Sequence, residues 1–252
     1  MSIPKYTSEC PDGMSEKRIT ITTENTDGSG HMSASRFAWE MGIITAEHLT
    51  AFGLGFENLK TKHKTWVVAW NSIQVNRLPK IGETVIFRIW SGKTKAGLYP
   101  HKYACYTKDG EPLAGAAALY LLMDSVTRKM TVPSKMMKQI PVVELENEPE
   151  LPRLRMSFPK TLSGRTKRTV LNEDIDQNGH MNNTRYLSWA EHLLHCIYQV
   201  KKEILHIWIQ YKKELFEGEQ VIIEYEAQKD SLFITGYSGN TESFSCVINF
   251  KE

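Results

Sequence analysis

Hydrophobic and polar positions predict two similar blocks along the chain, each a long helix followed by strands. Residues 17–23 alternate β-branched and polar side chains, which is typical of a strand. A helix is expected from about Met32 to Phe52, where Gly53 ends it. The four strands expected next are residues 66–75, 84–91, 98–108 and 112–123. Asp109-Gly110 predicts a hairpin, and the apolar run after it predicts a strand buried on both faces.

The second block repeats this order. A strand is expected at residues 165–171, a helix from about Asn182 to Leu194, and then strands at residues 206–215, 221–228, 233–237 and 244–250. Prolines and glutamates give residues 141–160 the composition of a linker. We therefore expect an α+β protein with domains at residues 1–140 and 161–252, each an antiparallel sheet wrapped around its helix.

Two ordered sequence matches indicate an internal duplication. Residues 30–37 align with residues 179–186 at an offset of 180 − 31 = 149, and residues 82–86 align with residues 218–222 at an offset of 218 − 82 = 136. Matches in the same order favour duplication over chance.

The loop before the second helix concentrates polar side chains. Asp176, Asn178 and His180 recur at every second residue, so an extended segment would aim all three to one side. The first N–H groups of the following helix would favour a developing oxyanion. The alternative is a polar turn that caps the helix.

Composition narrows the class of protein. A net charge of +2 and the lack of a recognised motif argue against nucleic-acid binding, and the longest apolar run, nine residues, is too short for a membrane span. The N-terminus has no apolar stretch typical of a signal peptide, and the four cysteines show no Cys-x-x-Cys spacing, so reduced thiols and a cytoplasmic location are expected. His192 and His195 could share a metal, but no other ligand spacing supports one, and we expect no cofactor.

The run DIDQNGHMNNTRYLSW, residues 174–189, resembles the active-site segment of the acyl-ACP thioesterases. The segments Trp66-Val-Val, Met123-Asp-Ser-Val-Thr-Arg-Lys and Tyr211-Lys-Lys-Glu are similar to other segments of that family, in the same order. The resemblance thus extends from residue 66 to residue 214, and it implies a tandem double hotdog fold.

The resemblance also implies catalytic roles for Asp176, Asn178, His180 and Glu214. Plant members have a cysteine after the glutamate, but this chain has Leu215, so a thiol nucleophile is excluded there. Either Glu214 or Asp176 could be the base toward water. Backbone N–H groups at Gly179 and Met181 are the candidates for polarising the thioester carbonyl.

The first block retains only part of this set. Asp27 and His31 stand where Asp176 and His180 do, but Ser29 replaces the asparagine and Leu78 replaces the glutamate, since 214 − 136 = 78. By resemblance, the first hotdog would house the acyl chain while the second performs the chemistry.

The implied substrate is a fatty acyl chain on acyl carrier protein, whose release as free fatty acid ends chain elongation. That carrier is acidic, so a basic docking face is expected, with Arg165, Lys167 and Arg168 as candidates. An acyl-CoA thioesterase, a hotdog dehydratase and a non-catalytic acyl-binding module are the alternatives. Both a monomer and a homodimer are compatible with the sequence.

Overall fold

The computed structural model describes residues 3–131, 139–151 and 157–251 and divides the chain into two compact units, Met1–Pro152 and Arg153–Glu252. The boundary falls within the segment of linker composition, of which residues 152–156 lie outside the described residues. The preceding part of that segment is not a free linker. Val143 and Leu145 pack on a cluster of buried side chains in the first unit that includes Ile86 and Trp90.

The first unit is a five-stranded antiparallel sheet with one long helix. Its elements are β1 (Met14–Thr20), α1 (Ala34–Ala51), the short α2 (Phe56–Lys60), β2 (Lys64–Val75), β3 (Thr84–Ser91), β4 (Leu98–Thr107) and β5 (Pro112–Asp124). The strand order is β1-β3-β4-β5-β2. The sequence pattern predicted every element except α2, whose five residues are too few for a periodic signal.

The predicted hairpin and the predicted central strand are both confirmed. The Thr107 N–H donates to Glu111 O across a turn in which Gly110 has a φ of 89°, a region that favours glycine. Strand β5 lies between β4 and β2, and its residues 113–119 are buried because both sheet faces are covered there.

The second unit repeats this architecture. Its elements are β6 (Gly164–Thr169), α3 (Asn183–Tyr198), β7 (Glu203–Tyr211), β8 (Gln220–Ala227), β9 (Ser231–Ser238) and β10 (Thr241–Lys251), and the strand order is β7-β10-β9-β8-β6. Each unit is therefore an α+β hotdog, as expected. Within the described residues, no helix combines the length and the apolar character that crossing a membrane requires.

The core of the second unit is built around aromatic rings. Tyr186 of α3 packs edge-on against Tyr211 and Phe244, with ring centroids 5.4 and 5.2 Å apart. Phe244 on β10 lies opposite Gly236 on β9, and the glycine leaves room for its ring. This packing places Tyr186, near the start of α3, over the end of β7.

Replacing Gly236 by alanine should destabilise the protein by about 1–3 kcal/mol, the usual cost of overpacking a core. A Cβ atom there would lie 2.1 Å from Cε1 of Phe244, whose side chain is fully buried and held against Tyr186. Urea unfolding of the variant measures the change. Gly28→Ala is the matched control, since nothing lies within 4 Å of its added methyl group. Equal stabilities for the two variants would contradict this expectation.

Candidate active site

The polar loop before α3 forms a tight turn. The N–H of Asp176 donates to the carbonyl of His180 over 3.0 Å, and the N–H of Gly179 donates to the carbonyl of Asp176 over 2.9 Å. Gly179 has a φ of 80°, which permits the reversal. The expectation of an extended segment was therefore wrong: Asp176 and His180 face each other across the turn, and Asn178 lies exposed at its tip.

Asn182 joins this turn to α3. Its side-chain oxygen caps the helix by accepting the Thr184 N–H over 2.9 Å, and its Nδ2 donates to Oδ2 of Asp176 over 3.3 Å. The other carboxylate oxygen, Oδ1, accepts the Asn178 N–H over 2.7 Å. The turn is thus also a capping structure, and Asp176 is held at both of its oxygens.

Glu214 approaches His180 because the chain leaves the sheet earlier than predicted. Strand β7 ends at Tyr211 rather than at residue 215, and the Leu215 carbonyl accepts the Met181 N–H over 2.8 Å. This hydrogen bond brings the loop after β7 alongside the turn. Glu214 Oε1 then lies 3.4 Å from His180 Nε2, and the two side chains are 28% and 24% exposed. Two residues 34 apart in sequence therefore meet where both side chains remain partly exposed.

The surroundings of His180 restrict where its proton resides. Nδ1 lies 3.4 Å from the carbonyl oxygen of Met181, and a carbonyl can only accept, so this contact assigns a hydrogen to Nδ1. Nε2 faces the Glu214 carboxylate. A proton can pass between an imidazole and a carboxylate this close together, and acid–base chemistry requires such an arrangement.

The predicted oxyanion donors are not available. The Gly179 N–H donates to Asp176 O within the turn, and the Met181 N–H donates to Leu215 O in the loop after β7, so both are already used. A substrate carbonyl would have to displace these hydrogen bonds. The exposed side-chain amide of Asn178 has no protein partner among the hydrogen bonds of the described residues, so it remains a candidate donor in the turn.

Tyr186 supports the site, although its sequence pattern gave only a helix position. The Leu215 N–H hydrogen bonds to its hydroxyl, and the pKa of Tyr186 is raised, chiefly by burial and also by the nearby carboxylates of Glu214 and Asp176. The phenol therefore stays protonated beneath the site. Leu215 itself is buried, consistent with the absence of a nucleophile at that position.

The first unit has the same turn without the same chemistry. The Asp27 N–H donates to His31 O over 2.8 Å, and the Met32 N–H donates to Pro79 O over 2.8 Å, as Met181 does to Leu215. Leu78, in the loop after β2, therefore occupies the position that Glu214 has in the loop after β7. The side chain of Ser29 hydrogen bonds Asp27 and lies 3.2 Å from His31 Nδ1.

Replacing Asp27 and His31 together by alanine should leave turnover of acyl-ACP, the substrate that the sequence implies, within a few-fold of the wild-type rate. Their turn lacks the carboxylate that would complete the set, because Leu78 takes the place of Glu214. Steady-state rates of the double variant should be compared with those of the matched pair Asp176→Ala and His180→Ala. An equally deep loss from both pairs, in folded proteins, would mean that the two units share catalytic groups.

The three candidate docking cations do not share one face. They lie on β6, the outer strand of the second sheet, where Arg165 and Lys167 are exposed at alternate positions. Arg168 lies on the opposite face, where its charge helps to lower the pKa of His192, although burial of the imidazole is the larger cause. Only Arg165 and Lys167 can therefore belong to a single docking surface.

The helical histidines do not form a metal site in the described structure. Nε2 of His192 lies 3.3 Å from Sγ of Cys196, one turn further along α3. Across residues 3–131, 139–151 and 157–251, no cluster of three histidine, cysteine or acidic side chains has a geometry that could hold a metal ion.

Family models match nearly the whole chain. The acyl-ACP thioesterase N-terminal domain matches residues 14–140, and the acyl-ACP thioesterase C-terminal domain matches residues 159–249. A chloroplastic acyl-[acyl-carrier-protein] hydrolase of Cuphea viscosissima is 28% identical over 170 residues, which are 63% of this chain and 40% of that protein. A chloroplastic dodecanoyl-[acyl-carrier-protein] hydrolase of Umbellularia californica is 29% identical over 149 residues, which are 55% and 38% of the two chains. The matches thus span about two fifths of these relatives' length.

Two solved structures share the fold over almost their whole length. An acyl-ACP thioesterase from Bacteroides thetaiotaomicron superposes with a TM-score of 0.84 at 17% identity, covering 95% of this chain and 98% of that one. A 12:0-ACP thioesterase from Umbellularia californica gives a TM-score of 0.82 at 18% identity, covering 96% and 99%. The tandem arrangement of two hotdog units is therefore the fold of those proteins.

Proposed function

Because the chain belongs to the acyl-ACP thioesterase family, we propose that it hydrolyses the thioester between a fatty acyl chain and acyl carrier protein. The observation that carries this proposal is the contact between His180 and Glu214, two residues of the family's motifs that separate elements of the second unit bring within 3.4 Å. The products are a free fatty acid and the carrier's thiol, so the reaction ends chain elongation.

Glu214 is the better candidate for the base. Asp176 accepts hydrogen bonds from the Asn178 N–H and the Asn182 amide, so both of its oxygens serve the turn. Glu214 instead faces an imidazole. In the proposed reaction, Glu214 takes a proton from water as the water oxygen bonds to the carbonyl carbon. The carbon–sulfur bond then breaks as the proton passes from Glu214 through the His180 imidazole to the departing sulfur, which leaves both side chains as they began.

Asp176 and Asn178 act as orienting residues in this scheme. Asp176 fixes the turn that presents His180, and the exposed amide of Asn178 is a hydrogen-bond donor for the substrate carbonyl oxygen as charge develops there. The first unit, with no equivalent of Glu214, houses the acyl chain.

Docking of the carrier protein is expected to be electrostatic. Reversing Arg165 and Lys167 to glutamate should raise the KM for acyl-ACP strongly and leave kcat on a neutral acyl-pantetheine almost unchanged. Both side chains are exposed on β6, and surface charges govern encounter over a screening length of about 8 Å at physiological ionic strength. Arg168→Glu, on the other face of the same strand, is the matched control.

Rates on acyl-ACP, acyl-CoA and acyl-pantetheine of equal chain length, measured across a salt series, test both the activity and the docking surface. A rate on acyl-ACP that falls with salt supports the proposal. Indifference of that rate to salt and to charge reversal would exclude this docking surface. A preference for acyl-CoA would favour the alternative enzyme, an acyl-CoA thioesterase.

Cellular context remains a prediction. The cytoplasmic location expected from the sequence is not shared by the plant relatives, whose names describe them as chloroplastic. Monomer and homodimer are both compatible with the tandem fold, and sedimentation of the purified protein distinguishes them.

A further inference from the structure

The interior of the first unit contains a buried polar network between α1 and its sheet. His48 on α1 and His101 on β4 are each 1% exposed. The Ser91 hydroxyl lies between them, 3.4 Å from Nε2 of His48 and 3.0 Å from Nδ1 of His101, and Ser15 contacts the other nitrogen of His48 over 2.8 Å. Imidazoles are costly to bury, so such a network in a hydrophobic core requires an explanation.

Two atoms of this region have no partner among the described residues. Nε2 of His101 and the hydroxyl of Tyr99 are both buried without a hydrogen bond. The two residues alternate on β4, so their side chains leave the same face, and both rings pack around Trp66 at centroid distances of 6.4 and 5.1 Å. Each unsatisfied polar group costs about 1–3 kcal/mol, which a ligand with a matching polar group would recover.

The duplicated unit builds the helix side of this polar region from apolar residues. The helix positions of Thr45 and His48 correspond to Leu194 and Ile197 of α3, since 45 + 149 = 194 and 48 + 149 = 197. The second unit thus builds the same helix-on-sheet layer with apolar side chains at both positions. The polar residues on this helix are therefore specific to the first unit, which is the unit proposed to bind the acyl chain.

We propose that Tyr99 and His101 form a polar subsite that binds a hydroxyl group carried on the acyl chain. The inference rests on the proposed function, because it concerns the chain that the first unit houses. A hydroxyl group on the chain can accept a hydrogen bond from the Tyr99 hydroxyl. It can also pair with His101 Nε2 as donor or as acceptor, so it fits whichever tautomer the contact with Ser91 favours. Trp66 and Tyr120 supply the surrounding apolar walls, since Tyr120 packs edge-on against His101 at 5.1 Å.

Substrate pairs of equal chain length test the subsite. Acyl-ACPs that are unsubstituted, or that carry a hydroxyl near the thioester, at mid-chain or at the chain end, should be compared by kcat/KM. For at least one hydroxyl position we expect wild type to prefer the hydroxylated chain about tenfold, the effect of one or two net hydrogen bonds. Tyr99→Phe, which removes only the oxygen, should bring that ratio close to one.

A second tyrosine on the same strand provides the control. The Tyr106 hydroxyl donates to the carbonyl of Pro4 over 2.8 Å, so Tyr106→Phe should leave the preference unchanged. The subsite is excluded if wild type prefers the unsubstituted chain at every hydroxyl position, or if Tyr99→Phe and Tyr106→Phe alter the ratio equally. Because Tyr99→Phe keeps the ring, the test does not depend on a more disruptive change at His101.

Failure of the proposed function gives a different result. If no chain is hydrolysed, the activity is wrong, and calorimetric titration with the free hydroxylated and unsubstituted fatty acids tests the subsite independently. Tighter binding of the hydroxylated acid to wild type than to Tyr99→Phe would support it. Equal binding of both acids by both proteins would overturn it.

Discussion

Replacing Glu214 by glutamine will lower kcat on acyl-ACP at least about 100-fold, the usual size of an acid–base contribution. Glutamine keeps the size of the side chain but cannot accept the proton of water beside His180 Nε2. His180→Ala and Asp176→Ala should each cause a loss of the same order, the first by removing the proton donor and the second by releasing the turn.

Steady-state kinetics with circular dichroism separates these losses from unfolding, since all three side chains are partly exposed. Glu217→Gln is the control, because this exposed glutamate lies three residues further along the same loop and contacts Asn172 instead. Near wild-type turnover for Glu214→Gln would remove Glu214 from the mechanism.

Acid should destabilise the first unit well above the range in which carboxylates titrate. Burial lowers the pKa of His48 to about 4, and burial together with nearby His48 lowers the pKa of His101 to about 3. Both imidazoles are therefore neutral in the folded protein, whereas the unfolded chain binds their protons below an ordinary pKa of about 6.5. Stability consequently falls as the pH drops from 6.5 toward 4.

The expected loss between pH 7 and pH 5 is about 4 kcal/mol, from two groups each contributing about 1.4 kcal/mol for each pH unit below 6.5. Urea unfolding at pH 5, 6 and 7 measures it. His48→Gln and His101→Gln should each remove about half of the slope, while His195→Gln, at an exposed position on α3, should retain it. A wild-type protein equally stable at pH 5 and pH 7 would refute the assignment of two buried neutral imidazoles.

The sequence pattern predicted the two sheets and their long helices because the helices bury one face each, outer strands alternate, and central strands such as β5 are continuous apolar runs. The pattern could not predict the end of a strand when that end depends on a contact with a distant part of the chain. Strand β7 stops at Tyr211, and the Met181–Leu215 hydrogen bond then holds the following loop beside the turn. That long-range contact brings Glu214 to His180, and only the family resemblance paired them beforehand.

Site chemistry shows the same limit. Alternation suggested an extended loop, but the N–H groups of Asp176 and Gly179 bond within a turn and the Met181 N–H bonds Leu215, which removes Gly179 and Met181 as donors. Identical backbone turns in both units show that the sequence match recorded a capping structure as well as a site. The sequence could not indicate the unsatisfied atoms of Tyr99 and His101. A strand pattern predicts which sheet face a side chain occupies but not which group it hydrogen bonds.

The outer strand β6 has a consequence for solubility. As the last strand of its sheet, it presents unpaired backbone groups that another chain could extend. Exposed Arg165 and Lys167 oppose such pairing by charge repulsion between copies, so the same side chains would both attract an acidic carrier and keep identical molecules apart. Neutral β-branched residues at these positions would weaken both effects, whereas glutamates would weaken the first alone. Aggregation and docking of the carrier are thus separable at this edge.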